Sequence, residues 1–291
     1  MHIVTFKAHA KINWSLSVTG KRDNGYHELD MLLQSVTMHD FITVSIQRSK
    51  GIDLLCSRPL GDMENNLAFK AANAFFQHTE ILPDCRIYLH KYIPVCAGMG
   101  GGSADAAAVL TALNRLYGSP LRRTELSELA LSLGADVPFL LQGGLARAQG
   151  IGEQLTFFPN KRRFYFVGIM PRRGASTRKV FSLFDDSLPR CSVNNDALLH
   201  AILHGDPADA AKHMHNHLQP VTESLLPQLT ELRAALLRFG ALTSVMTGSG
   251  ALMYGLFTSA ETADSAYAAL RKARCGRVFR FDSCECGIET P

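Results

Sequence analysis

Pro94-Val95-Cys96-Ala97-Gly98-Met99-Gly100-Gly101-Gly102-Ser103-Ala104-Asp105-Ala106-Ala107 puts four glycines in the five positions from Gly98 to Gly102. Just before it, Arg86 to Ile93 alternates apolar and polar residues, the period of a half-buried strand. Just after it, Ala106, Val109, Leu110 and Leu113 recur at helical spacing, and Gly118 is a stop signal. The segment therefore reads as strand, glycine turn and helix start. Such a turn aims unpaired backbone N–H groups and the positive end of a helix dipole at one spot, which favours phosphate. Glycine also leaves no Cβ to keep a ligand off the backbone. Ser103 serves either as helix cap or as a ligand to phosphate or metal. The P-loop pattern is absent, because no lysine follows the glycines. Asp105 brings a negative charge into the first turn, unfavourable beside phosphate unless it points away.

Outward from that loop, the 291 residues suggest two lobes sharing a cleft. Hydrophobic residues make up 46% and charged residues 19%, ordinary for a soluble globular protein. A net charge of +4 suits phosphorylated ligands but makes no case for nucleic acid. Seven scattered cysteines and no secretory signal point to free thiols and a cytoplasmic location. Cys284 and Cys286 form a C-x-C without the second pair of a zinc site, so metal is not expected there. No apolar run is long enough to span a membrane.

His2 to Ser17 reads as a strand pair carrying Ala10-Lys11-Ile12-Asn13-Trp14-Ser15-Leu16. Lys11 and Asn13 share one face of a strand, either to meet an anionic or hydroxylated ligand or as ordinary exposed polar residues. Asn24-Gly25 is a turn, from which Tyr26 and His27 emerge as a stacking and hydrogen-bonding pair or a half-buried hairpin. Phe41–Ile46 alternates as a strand, Asn65–Phe76 and Arg123–Leu133 read as helices, and Arg147–Glu153 as a turn. Asp136, two residues before Pro138, is a helix N-cap or, near the phosphate loop, a base. The lobe boundary falls between Phe158 and Lys161, giving lobes 1–158 and 159–291. His213, His215 and His217 fall in an expected helix as solvated residues. Beyond them come a helix at Leu225–Phe239, strands at Thr243–Met246 and Ala251–Phe257 around Thr247-Gly248-Ser249-Gly250, a helix at Glu261–Arg274 and a strand at Arg277–Phe281. That order describes an α+β sandwich, with helices on one side of an antiparallel sheet.

The loop Pro94–Ala104, together with Ala10–Leu16 and Met246–Leu252, resembles the three motifs of the GHMP kinase superfamily. Gly25-Tyr26-His27-Glu28-Leu29, Gly134–Phe139 and the Thr177/Phe181 pair narrow the likeness to the branch acting on 4-diphosphocytidyl-2-C-methyl-D-erythritol. The resemblance implies a two-lobed α+β fold. One lobe has a mixed sheet with a left-handed βαβ-type unit, like that of ribosomal protein S5, and the other a ferredoxin-like antiparallel sheet. It implies that ATP lies with its phosphates over Pro94, Val95, Cys96, Ala97, Gly98, Met99, Gly100, Gly101, Gly102, Ser103 and Ala104. Asp136 would take the proton of the substrate 2-hydroxyl, and Lys11 would stabilise the attacking oxygen. Tyr26 and Phe181 would sandwich cytosine and His27 hydrogen-bond it. Asn13, Thr177, Gly248 and Ser249 would line the diphosphate and erythritol part. Mg²⁺ is expected with ATP, its ligands unassigned, and the chain would act as a monomer or homodimer. Four departures stand out. Cys96 replaces a common glycine, Ala104 a common serine, Met99 a leucine of similar volume, and Asn216-His217-Leu218-Gln219 an N-D-L-E-like segment.

Overall fold

A computed structural model describes residues 2–23, 25–47, 51–184 and 194–291. Asn24, of the expected Asn24-Gly25 turn, lies outside them. The chain opens with two long antiparallel strands, β1 (Ile3–Lys21) and β2 (His27–Ser45), then β3 (Gly51–Cys56), α1 (Leu67–Thr79) and β4 (Asp84–His90). Helix α2 (Gly101–Leu116) follows the glycine loop, with α3 (Arg123–Leu133), α4 (Val137–Gln142), β5 (Leu145–Gly150) and β6 (Gln154–Phe158). Next are β7 (Tyr165–Met170), α5 (Thr177–Leu183), α6 (Asn195–His204), α7 (Pro207–Ala211), β8 (His215–Asn216), α8 (Gln219–Leu225) and α9 (Gln228–Arg238). Strands β9 (Thr243–Met246) and β10 (Met253–Phe257), helix α10 (Ala260–Ala273) and strands β11 (Arg277–Asp282) and β12 (Ile288–Glu289) complete it.

Two sheets result. The mixed one has the spatial order β12-β1-β2-β4-β3, with β5 beside β2, β6 beside β5 and β8 beside β1. Strands β3 and β4 run parallel with α1 between them, the βαβ-type unit. The other sheet, β11-β7-β10-β9, is antiparallel throughout and carries α9 and α10. The two-lobed α+β fold expected from the resemblance is the one observed. Strands β8 and β12, from beyond residue 158, cross back to β1 in the mixed sheet.

Several local expectations are corrected. His2–Ser17 is one arm of a single 19-residue strand, not a pair, and Phe41–Ile46 is the end of another. No glycine or proline interrupts residues 2–17, so nothing turns the chain there. Bulges at His9/Ala10, Asn13/Ser15 and Val18/Gly20 take up the bend instead. The helix expected at Leu225–Phe239 is observed as α9, which starts later, at Gln228, because Pro227 precedes it and Leu225 ends α8. Arg147–Gly150 is strand, leaving only Ile151–Glu153 as turn. The expected His213–His217 helix is absent. His215 lies in β8, where its Nε2 is 2.8 Å from Ser17 Oγ, and the Val18 N–H donates to His217 Nδ1 at 3.1 Å.

Candidate active site

Among the described residues, the edge of β1 between its contacts with β12 and β8 has no strand partner, and two loops fill it. The Lys11 N–H donates to the Met99 carbonyl at 3.0 Å, which seats the glycine loop. The Asn13 N–H donates to Thr247 Oγ1 at 3.1 Å, which seats the Thr247–Gly250 turn. The loops also bind each other, as Ala251 N–H and Leu252 N–H donate to the Cys96 and Ala97 carbonyls at 3.2 and 3.3 Å. At Gly98 (φ +74°) a Cβ would lie 2.1 Å from the Thr247 carbonyl oxygen, so no other residue fits. Gly100 (φ +69°) precedes α2, whose first-turn amides have no intrahelical acceptor, and Gly101, Gly102 and Ser103 of that turn line the cleft. The sequence expectation of strand, glycine turn and helix start holds.

Opposite that turn stand Lys11 and Asp136, with Lys11 Nζ 3.7 Å from Asp136 Oδ2. Lys11 is buried and Asp136 is about one-third exposed, so the carboxylate faces the cleft while the ammonium is held below it. Asp136 precedes α4, but its side chain makes no capping hydrogen bond. The structural role open to it in sequence is therefore not the one it takes. Lys11 Nζ donates to Asn13 Oδ1 at 2.8 Å, and the Gly248 N–H donates to the same oxygen at 3.0 Å. Asn13 thus ties the lysine to the third motif, with its own carbonyl amide oxygen already occupied. Asn216 completes the scaffold by donating to the Met246 and Gly248 carbonyls at 2.7 and 2.8 Å. Sequence reasoning noted Asn216 only as part of a variant segment.

Asp105 is buried in α2 beside the glycine loop, its Oδ2 2.5 Å from Lys91 Nζ, which also bonds Asp40. The other Asp40 oxygen accepts from the Tyr92 and Ile93 N–H groups at 2.5 and 2.9 Å. Two carboxylates thus share one ammonium out of water. Burial first, and then the Asp40 charge, push Asp105 up to about 7, with Lys91 pulling the other way.

These groups line one cleft of about 1380 Å³, more than a single drug-sized ligand needs. Tyr26, His27, Thr177, Phe181, Gly248 and Ser249 line it, as do Pro94 to Ser103, Lys11, Asn13 and Asp136. Ala104 does not. It is buried in the first turn of α2, so a side chain there faces the core. Tyr26 is 61% exposed at the rim. The His27 ring lies against Phe181, with centroids 5.3 Å apart, and meets Phe184 edge-on at 5.7 Å. Thr177 Oγ1 and Ser249 Oγ are 2.7 Å apart, joining α5 to the third motif. Sequence reasoning missed three cations of the lining, Lys21, Lys91 and Arg178, and the apolar residues Leu60 and Leu67. Only the mild net positive charge hinted at the cations.

A helix-start phosphate cradle facing a lysine–aspartate pair, with room for two ligands, defines a small-molecule kinase. Family profiles agree. Residues 66–144 match the GHMP kinases N-terminal domain and residues 198–275 the GHMP kinases C-terminal domain. A 4-diphosphocytidyl-2-C-methyl-D-erythritol kinase of Acetivibrio thermocellus is 38% identical over 274 residues, 94% of this chain and 96% of that protein. The crystal structure of a 4-(cytidine 5'-diphospho)-2C-methyl-D-erythritol kinase superposes with TM-score 0.82 at 33% identity, covering 96% of this chain and 99% of that one. A homoserine kinase from Cytophaga hutchinsonii shares the fold, with TM-score 0.80 at 20% identity over 100% of this chain and 98% of that one. The chain belongs to the GHMP kinases, and within them to the 4-diphosphocytidyl-2-C-methyl-D-erythritol kinase family.

Proposed function

We propose that the protein transfers the γ-phosphoryl group of ATP to the 2-hydroxyl of 4-diphosphocytidyl-2-C-methyl-D-erythritol, releasing the 2-phosphate and ADP, a step of the non-mevalonate isoprenoid route. The observation that carries the chemistry is the Lys11–Asp136 pair, 3.7 Å apart, opposite the amides that open α2. Asp136 accepts the hydroxyl proton as the oxygen attacks phosphorus. Lys11 neutralises charge on that oxygen and on the transferring group, and the loop amides hold the phosphates. Asn13 keeps the ammonium aimed. Residues 1–158 hold ATP, and residues 159–291 complete the substrate cleft.

The substrate assignment rests on the relatives' names and on the rim. Tyr26 and Phe181 offer aromatic faces to cytosine, and His27 offers ring nitrogens. Thr177, Gly248 and Ser249 lie between that rim and the lysine–aspartate pair. Mg²⁺ accompanies the nucleotide. The oxygen donors lining the cleft near the loop include the Ser103 hydroxyl, the Asp136 carboxylate and the buried Asp105 carboxylate, whose Oδ2 is held by Lys91. That set suits an ion which keeps phosphate and water oxygens as most of its ligands. The ion would neutralise phosphate charge. Among the described residues no helix is long and apolar enough to cross a membrane, in keeping with a cytoplasmic enzyme. ADP release measured with 4-diphosphocytidyl-2-C-methyl-D-erythritol, mevalonate and homoserine tests the assignment. Turnover is expected with the first alone, and a clear preference for mevalonate or homoserine would overturn it.

A further inference from the structure

Taken alone, the C-x-C of Cys284 and Cys286 lacks partners for a metal. The fold brings one from the opposite end of the chain. Strand β12 pairs with β1 so that Lys7 faces Glu289 and Ala8 faces Ile288. His9 lies two positions beyond Lys7 on the same face. A ring nitrogen of His9, Cys286 Sγ and a carboxylate oxygen of Glu289 fall within 4.8 Å of one another. Among the described residues no other group of three His, Cys, Asp or Glu side chains converges in this way.

Three observations set this apart from polar side chains gathered by chance. First, the backbone carrying two of the three groups is clamped. The His9 N–H donates to the Gly287 carbonyl at 2.8 Å, and the Gly287 N–H donates to the Gln142 carbonyl at 2.9 Å. The fit is close enough that a Cβ on Gly143 would fall 1.9 Å from the Gly287 nitrogen. Cys286 and Glu289 therefore flank a fixed turn and not a loose tail. Second, His9 is oriented as metal-bound imidazoles are. Its buried ring sets Nδ1 3.1 Å from the Val36 carbonyl, which only accepts, so Nδ1 carries a hydrogen. Nε2 then faces Glu289 Oε2 at 3.3 Å, and two acceptors that close require a positive centre between them. That centre is either a second proton on the ring or a metal ion. Third, the Cys286 thiol stands at the same point. Nitrogen, sulfur and oxygen together match a borderline ion such as Zn²⁺, whereas Mg²⁺ takes oxygen alone.

We propose that His9 Nε2, Cys286 Sγ and the Glu289 carboxylate form a zinc-type metal site that pins the C-terminal strand to β1. Water fills the fourth tetrahedral position, and the half-exposed Glu289 side chain provides the way in. On binding, the Cys286 S–H and His9 Nε2–H bonds break, S–Zn and N–Zn bonds form, and both protons pass to buffer. Lys7, whose Nζ lies 3.4 Å from Glu289 Oε2, gives up that oxygen to the ion. None of the three ligands lines the phosphoryl-transfer cleft, so the site acts on stability by tying together the two ends of the chain. It is independent of the kinase reading.

The test uses the full chain, stripped with chelator and then dialysed against a small molar excess of ZnCl₂. Bound metal is counted by mass spectrometry and thermal unfolding is recorded. One ion per chain and a raised Tm are expected, and Co²⁺ in place of zinc should give a thiolate-to-metal charge-transfer band. Cys286→Ser and Glu289→Gln, both at partly exposed positions, should each weaken binding by roughly 100-fold or more, with the band lost in Cys286→Ser. Their phosphoryl-transfer rates should match the wild type, and Lys7→Met should bind at least as tightly. No bound zinc in the wild type, or full retention of the ion and its Tm gain in both ligand variants, would overturn the site and leave an imidazolium–carboxylate pair in its place.

Discussion

Asp105 shows how a single side chain in the phosphate loop's support becomes sensitive to pH. Burial chiefly, helped by the neighbouring Asp40 carboxylate, raises it from 3.8 to about 7 against the pull of Lys91. Between those values the unfolded chain has released the proton while the folded one keeps it. Folding therefore takes up a proton in that window. The contribution of Asp105 to stability is complete below the lower value, falls as pH rises, and is gone above about 7. The fall is steepest near about 1.4 kcal/mol per pH unit. Asp105→Asn cannot titrate, so its stability relative to wild type should improve from about pH 5 to about pH 8 in chemical denaturation. A difference independent of pH would contradict the buried two-carboxylate arrangement. Cys96 offers a second test at this scale. It sits at φ +56°, a conformation suited to glycine. Cys96→Gly should therefore raise stability by about 0.5–1 kcal/mol, after allowance for the greater freedom of unfolded glycine. A loss of stability on denaturation would show that the thiol packs usefully.

At the level of elements, the edge of β1 that faces away from β2, between its contacts with β12 and β8, explains why three remote motifs meet. A continuous strand would have closed that edge. Instead the Met99 carbonyl and the Thr247 hydroxyl take its N–H groups, and Gly98 lets the two loops touch. Gly98→Ala would drive a methyl group into the Thr247 carbonyl and force a strained φ. It should lower ATP affinity by about tenfold or more and destabilise the fold by roughly 2 kcal/mol or more. Isothermal titration with a non-hydrolysable ATP analogue and thermal unfolding measure both, and unchanged values would mean that the loops are not in contact. Helices α2 and α3 were legible in sequence because their apolar residues recur at helical spacing and glycines end them. Strand β1 was legible only in part, since its bulges disturb a strict alternation over residues where no turn residue marks an end. The His213–His217 segment misled because its regular histidines suggest a surface helix. Its actual pairing with β1 depends on a chain return that no local pattern records.

Across the whole molecule, the meeting of Lys11, Asp136 and the glycine loop could be read because three short motifs occur in a set order, each with its own chemistry. What could not be read was the set of groups that position them. Asn216 acts through two carbonyls of another loop, Arg178 and Lys21 reach the cleft only once the lobes are assembled, and Cys286 meets His9 only because β12 returns to β1. These depend on tertiary closure, which leaves no spacing signature. The account's central claim is that Asp136, beside Lys11 and opposite the amides of α2, takes the proton from the attacking hydroxyl. Single-turnover phosphoryl transfer by Asp136→Asn, at saturating ATP and 4-diphosphocytidyl-2-C-methyl-D-erythritol, tests it most directly. A rate lowered by roughly 100-fold or more, with ATP affinity within about twofold of wild type, is the result expected. An unchanged rate would contradict the claim.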